Sequence, residues 1–97
     1  MKYEKKYKTE YPYPIANILF VVPDLSLSNS YFDRYDFLKM YNITFVTPEW
    51  ASGKGLKKSK SKKRNIYEKV YFHPDTKGIA QKLAVALGIR DVIEAVI

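Results

Sequence analysis

The hydrophobic positions of the chain are grouped into short runs that end at proline. Residues 15–22 form a compact apolar run, which predicts a buried central strand. Residues 42–47 are rich in β-branched and aromatic side chains and predict a second strand. Residues 66–73 have a similar composition and predict a third.

Two stretches between and after these strands carry apolar residues at helical spacing. In residues 31–41, Tyr31, Tyr35 and Leu38 recur at intervals of four and three, which predicts a first helix. Gly88 stands where a left-handed cap would end a second helix. The apolar stripe of this second helix consists of Ile79, Ala80, Leu83, Ala86 and Leu87.

The last predicted element completes a β-α-β-β-α-β order. In residues 91–97 the alternation of apolar side chains favours a strand, with a short helix as the alternative. This order is typical of the ferredoxin-like α+β sandwich, in which two helices cover one face of a four-stranded sheet. The prolines of residues 1–14 oppose a helix, so we expect an N-terminal tail there and a single domain over residues 15–97.

The first predicted helix also carries apolar side chains outside its main stripe. Phe37 and Met40 project roughly opposite Tyr31 and Leu38. One helix cannot bury two sides against one sheet, so something else must cover this second side. The alternatives are the N-terminal tail and a second copy of the chain, that is, a homodimer formed through Phe37 and Met40.

Composition limits the classes of protein that the chain can be. Apolar residues are 46% of the sequence, which is enough for the core of one small domain of 97 residues. The absence of cysteine excludes disulfides and thiolate chemistry. The longest apolar run is far shorter than the roughly 20 residues of a membrane-spanning helix. We therefore expect no membrane partner and a cytoplasmic protein.

The positive charge of the chain is concentrated in one predicted loop, residues 51–65. This loop holds seven of the 17 basic residues, and the remaining ten balance the ten acidic residues. Such a local excess predicts a polyanionic partner, RNA or DNA first, and its lysine-rich character favours contacts to the phosphate backbone. The alternative is a solvated loop that only aids solubility. The predicted contact residues are Lys54, Lys57, Lys58, Lys60, Lys62, Lys63 and Arg64.

The third predicted strand suggests additional contacts to nucleic acid. Tyr67, Lys69 and Tyr71 alternate onto one face, which would be the open face of a two-layer sandwich. Tyrosines on an open sheet can stack on bases. They can equally well stabilise the sheet by packing across strands.

Candidate catalytic chemistry is sparse in this sequence. His73 is the only histidine, and no motif places a nucleophile or a second metal ligand beside it. The segment Gly53-Lys54-Gly55 lacks the further glycine of a dinucleotide fingerprint and the Lys-Ser or Lys-Thr of a P-loop. We therefore expect a non-enzymatic protein without catalytic residues, metal or cofactor.

The last third of the chain resembles the C-terminal domain of the LytR/CpsA/Psr cell-envelope family. The resemblance rests on the strand Val-Tyr-Phe-His-Pro at 70–74 and on the motif A-x-x-L-A-x-x-L-G-I at 80–89. The Asn-Gly turn that the family has after its first strand is replaced by Pro23-Asp24. The resemblance implies an accessory domain that contacts proteins or envelope polymers, as an alternative to nucleic-acid binding.

Overall fold

The protein forms one mixed five-stranded sheet with helices on both faces. The computed structural model describes residues 4–7, 16–55 and 66–97. Helices α1 (Leu27–Arg34), α2 (Pro48–Trp50) and α3 (Lys77–Leu87) connect its parallel strands. Shorter helical segments are the 3₁₀ helices Asp36–Met40 and Pro74–Thr76 and the π-helical turn Ala51–Gly55. The strands are β1 (Glu4–Tyr7), β2 (Asn17–Val21), β3 (Asn42–Val46), β4 (Lys69–Phe72) and β5 (Asp91–Glu94).

The strand order in the sheet is β1-β3-β2-β4-β5. Strands β3, β2, β4 and β5 are parallel, whereas β1 is antiparallel to β3. Strand β2 lies at the centre, in register with β3 from Asn17↔Asn42 and with β4 from Ile18↔Lys69. Because helices cover both sides, the central strand is apolar after Asn17, and its last four residues, Ile18 to Val21, are fully buried.

Two hydrophobic clusters, one on each face, hold the sheet between its helices. The first lies under α1 and the 3₁₀ helix that follows it, and the second lies under α2 and α3. The first cluster contains Ile18, Phe20, Val22, Tyr31, Leu38, Ile43, Phe45, Tyr71 and Ala95. The second contains Leu19, Val21, Val46, Trp50, Ala51, Val70, Phe72, Ala80, Leu83, Ala84 and Ile89.

The ferredoxin-like arrangement is not what the described residues show. The sheet has five strands instead of four, and the predicted placement of both helices on one face is wrong. The second and third predicted strands, β3 and β4, are not hairpin neighbours, since each pairs with β2 in parallel. The physical reason is the short α2, whose Trp50 is 4% exposed and directs the chain across the second face of the sheet.

Several predicted boundaries also change. The first helix is two segments, α1 and a 3₁₀ helix, separated at Tyr35, where the backbone is not helical. The predicted third strand, residues 66–73, is β4 and starts at Lys69 instead of residue 66. Part of the predicted N-terminal tail, β1, belongs to the sheet. The predicted second helix and its left-handed cap are confirmed, because Gly88 has a φ of 73°.

Candidate nucleic-acid interface

The lysine-rich segment begins on the α3 face of the sheet. Of its seven predicted contact residues, Lys54 alone falls in the described part of the chain, where it is exposed in the turn Ala51–Gly55. Lys57, Lys58, Lys60, Lys62, Lys63 and Arg64 lie outside the described residues. The structure therefore gives the two ends of the segment, the turn at Gly55 and the approach to β4 at Ile66.

The turn Ala51–Gly55 packs beside α3. Trp50 and Ala51 belong to the same buried cluster as Ala80, Leu83 and Ala84 of α3. The small Ala51 of the turn faces the small Ala80 and Ala84 of the helix in this cluster, which allows the two to approach closely. The charged segment consequently starts next to the outer surface of α3.

The outer surface of α3 adds positive charge that the sequence analysis did not include. Lys77 and Lys82 are exposed, and neither α3 nor the adjoining turn contains an acidic residue. The sequence signal that could have found them is the apolar stripe itself, because both lysines fall outside it. Together with Lys54 they form the α3 basic surface, defined as Lys54, Lys77 and Lys82.

The opposite helical layer is electrically balanced. Asp33 and Arg34 end α1, and Asp36 and Lys39 lie in the 3₁₀ helix, all four exposed. The ammonium group of Lys39 lies 3.0 Å from a carboxylate oxygen of Asp36. The layer of α2 and α3 carries Lys54, Lys77 and Lys82 against the exposed Glu49 of α2, so the two helical layers differ in charge and the α3 face is the one that favours an anion.

Tyr71 is not available for stacking on a base. The predicted open sheet face is wrong, because α1 covers it and leaves Tyr71 only 9% exposed. Its ring is stacked on that of Phe20, with 5.6 Å between the centroids. Burial also raises the pKa of the Tyr71 hydroxyl. Tyr71 thus packs across strands on Phe20, as in the alternative interpretation of the sequence, but on a covered face of the sheet instead of an open one.

Tyr67 and Lys69 do not form a surface with Tyr71. Tyr67 precedes β4, so strand alternation does not extend to it, and it packs against the cluster on the α3 face. There it is half-buried. Lys69 is half-buried at the first position of β4, beside the start of the central strand. Of the three residues predicted on this strand, Tyr67 is therefore the one that the structure places on the same face of the sheet as the α3 basic surface.

The carboxyl ends of β2 and β4 are the place where open parallel sheets commonly bind small ligands. The strand order reverses between them, since β2 is followed along the chain by β3 on one side, whereas β4 lies on the other. Here the hydroxyl of the buried Thr76 lies between the two strand ends, 3.1 Å from the carbonyl oxygen of Val21 and 2.8 Å from that of His73, to which it can donate. The crevice is therefore bridged by protein.

The charges at this end of the sheet do not suit a phosphate. The carboxylate of Asp24, which follows β2, accepts the backbone N–H of Ser26 at 2.9 Å. This hydrogen bond from the Ser26 backbone lowers the pKa of Asp24, and a second from the Ser26 side chain acts in the same direction. The Ser26 N–H at the start of α1 is thus already engaged by an anion from the chain itself.

His73 has a structural role at the carboxyl end of β4. Its Nδ1 atom accepts the backbone N–H of Asp75 at 3.0 Å and so caps the turn Pro74–Thr76 that leads into α3. Its ring meets that of Tyr31 edge-on, with 6.4 Å between the centroids. Within the part of the chain that the structure describes, no group of three or more histidine, aspartate or glutamate side chains could hold a metal ion.

Comparison with protein families, with curated proteins and with solved structures finds no match to this chain. Among the described helices, none is long and apolar enough to cross a membrane.

Proposed function

We propose that the protein is a non-enzymatic binding module for an anionic polymer, RNA or DNA, which it engages through the lysine-rich segment and the adjoining α3 basic surface. The observation that carries this proposal is the distribution of charge. The formal net charge of +7 equals the charge of the segment from Lys54 to Arg64, and the remainder of the chain is neutral. A polyanion is the partner that such a concentrated charge attracts most strongly.

The position of the segment supports an extended binding surface. Its start at Gly55 lies on the same face as Lys77 and Lys82, so contacts made by the segment can continue along α3. No carboxylate of α3 opposes them. Lysine-rich contacts of this kind engage phosphates with little preference for base sequence.

The proposal of a binding module without catalysis rests on the strand ends. The bridged crevice between β2 and β4 and the engaged Ser26 N–H leave no phosphate cradle at the usual ligand position of such sheets. His73 uses Nδ1 for its cap, and a carboxylate oxygen of Asp75 lies 3.6 Å from it on an exposed turn. The neighbouring hydroxyl of Thr76 is engaged with backbone carbonyl oxygens.

Binding to fluorescently labelled single- and double-stranded RNA and DNA oligonucleotides at two salt concentrations tests the proposal. We expect the logarithm of the affinity to fall linearly with the logarithm of the salt concentration, with a slope of a few units. Replacing Lys57, Lys58, Lys60, Lys62 and Lys63 with glutamine should abolish binding and leave the melting temperature unchanged. Affinity that ignores salt, or survives this substitution, would contradict the proposal.

A matched pair of double variants tests the surface. Lys77→Gln with Lys82→Gln removes two positive charges from the α3 face, and Arg34→Gln with Lys39→Gln removes two from the opposite layer. We expect the first pair of substitutions to weaken binding several-fold. It should also lower the slope of the logarithm of affinity against the logarithm of salt concentration by one to two units, because each lost lysine–phosphate contact contributes about one unit. The second pair should bind like the unchanged protein. Equal losses would show that net charge alone, and not this face, determines the affinity.

A second candidate function is the accessory domain that the LytR/CpsA/Psr resemblance implies. It is favoured by the way the motif at 80–89 is used, with Ala80, Leu83 and Ala84 in the core, Gly88 as the left-handed cap and Ile89 buried. Retention on purified anionic envelope polymer that nucleic acid does not displace would favour this candidate. Copurification of nucleic acid that high salt removes would favour the first.

A further inference from the structure

One edge of the sheet is formed by β5. Within the described part of the chain, β4 is its one neighbour. The backbone N–H of Ala95 donates to the carbonyl of Phe72 at 2.9 Å. Because the direction of the backbone groups alternates along a strand, Ile93 and Asp91 also direct theirs towards β4. The N–H and C=O groups of Val92 and Glu94 consequently point away from the sheet. Such an edge is a template for another strand.

We propose that β5 pairs with β5 of a second copy of this chain, antiparallel and centred on Val92. In this register the outward backbone groups of Val92 meet those of the partner's Val92 in a hydrogen-bonded pair. Arg90 immediately precedes β5, so pairing that extends the strand by this one residue sets Arg90 opposite the partner's Glu94 and Glu94 opposite the partner's Arg90. Both residues are exposed in the single chain. Opposite charges on directly facing residues stabilise a strand pair.

The charges of β5 select this register over its neighbours. Pairing centred on Asp91 places two aspartates opposite each other, and pairing centred on Glu94 does the same with two glutamates. Pairing centred on Val92 and pairing centred on Ile93 each set one acidic residue opposite an apolar one, but pairing centred on Ile93 makes no ion pair, whereas pairing centred on Val92 makes two. If the centre of the pairing fell between two residues, a residue whose backbone groups point away from β4 would face a residue whose backbone groups point towards it. Val92 is therefore the centre at which charge and hydrogen bonding agree.

Exposed apolar side chains lie at the same edge, and Ile93, which alternates with Val92 of the cluster under α3, is on the α1 face. Ile93 of β5 is 37% exposed, and Val96, just beyond the strand, is 53% exposed. The hydroxyl of Tyr35 donates to the carbonyl of Val96. Phe37, 44% exposed, meets the Tyr35 ring edge-on at 6.1 Å and so belongs to the same border of the molecule. A second copy at β5 would cover these groups. Among the described residues, no ring contact or hydrogen bond of this kind links Met40 to the β5 edge.

The symmetry of the proposed pair has a consequence for binding. Antiparallel pairing of identical strands needs a two-fold axis perpendicular to the sheet, and this axis keeps each face on its own side. The two α3 helices therefore lie on the same side of a continuous ten-stranded sheet. A dimer would present both α3 basic surfaces to one polyanion, which raises the effective concentration of the second site. The pairing itself does not depend on nucleic-acid binding.

A charge-reversal cycle tests the proposal by analytical ultracentrifugation over a range of protein concentrations. Glu94→Arg and Arg90→Glu each place like charges opposite one another twice in the dimer, so each should raise its dissociation constant by at least about tenfold. The double variant Arg90→Glu with Glu94→Arg restores opposite charges and should recover the affinity of the unchanged protein. Asp33→Arg and Arg34→Glu, which make matched charge changes on α1, should have no effect.

Four results would overturn the proposal. One is a monomer at every concentration for the unchanged protein. Another is a dimer that Glu94→Arg or Arg90→Glu leaves intact. The third is a dimer whose affinity the double variant fails to recover. The fourth is a dimer that Met40→Glu dissociates and Glu94→Arg does not, because that result would move the interface to Phe37 and Met40 and away from β5. Circular dichroism of each variant establishes that it is folded.

Discussion

The hydroxyl of Tyr31, on α1, donates a 2.6 Å hydrogen bond to the backbone carbonyl of Ala95, which follows β5. Tyr31 is fully buried and its ring lies 4.4 Å from that of Phe20 in the central strand. One side chain thus joins the first helix, the centre of the sheet and the last part of the chain. Because 64 positions separate the two residues, this contact forms only when the whole fold is assembled.

Tyr31→Phe should lower the free energy of unfolding by about 1–3 kcal/mol, because it keeps the packing but leaves the buried Ala95 carbonyl without its donor. Urea denaturation measures this change. Tyr35→Phe is the matched control, since its hydroxyl also donates to a backbone carbonyl, that of Val96, but at an exposed position. We expect a smaller loss there. Equal losses for both variants would mean that burial does not determine the strength of these bonds.

Alkaline pH should weaken the fold through the same hydroxyl. Burial raises the pKa of Tyr31 to about 12 from its ordinary value of 10.0. The folded state therefore keeps the proton at pH values where the unfolded chain loses it. The stability that this contributes is fully present below pH 10.0 and is lost as the pH rises towards about 12, a total of roughly 2–3 kcal/mol by linkage.

Denaturation of the unchanged protein and of Tyr31→Phe at a series of alkaline pH values checks this expectation. Tyr71 also has a raised pKa and titrates in both proteins, so the difference between the two curves isolates Tyr31. The difference in the free energy of unfolding between the two proteins should narrow or change sign as the pH rises, because phenylalanine has no proton to lose. Parallel curves would show that Tyr31 does not titrate with a raised pKa.

Leu83→Ala should cost about 2–5 kcal/mol, because Leu83 is fully buried between α3 and the sheet and its truncation leaves a cavity. Lys82→Ala, one position away on the exposed side of the same helix, should change stability by less than ~0.5 kcal/mol. Thermal or urea denaturation of the two variants compares the faces directly. Similar losses at both positions would show that the helix does not have this orientation.

The contrast between α3 and α1 shows what the sequence could predict. In α3 the exposed lysines, Gly88 and most of the apolar stripe agree with the structure, so periodicity predicted the element and its buried face, although Ala84 is buried and Ala86 is exposed. In the first helix the aromatic residues continue past Arg34 into the 3₁₀ helix, and their spacing does not reveal the non-helical Tyr35. Local pattern therefore predicted the existence of this element but not its division.

The strand order could not be read from the order of elements. A β-α-β-β-α-β sequence allows both a hairpin and a crossover between β3 and β4, and the difference lies in the three-residue α2. Its buried Trp50 packs on the α3 face with Leu19 and Val46 of the sheet. That long-range contact has no periodic signal. The expectation of a two-layer sandwich also made Tyr71 look accessible, because that arrangement would have left its face of the sheet open.

His73 offers the sharpest test of whether the residues at the carboxyl end of β4 act in the fold or in chemistry. His73→Asn keeps a side-chain acceptor for the Asp75 N–H, whereas His73→Ala removes it, and both lose the ring contact with Tyr31. If the histidine is a cap, the alanine variant should be less stable than the asparagine variant by about 1 kcal/mol. Equal stability of the two variants in urea denaturation would exclude the cap. It would then leave the single histidine of the chain without its structural explanation and reopen its candidacy as a chemical group.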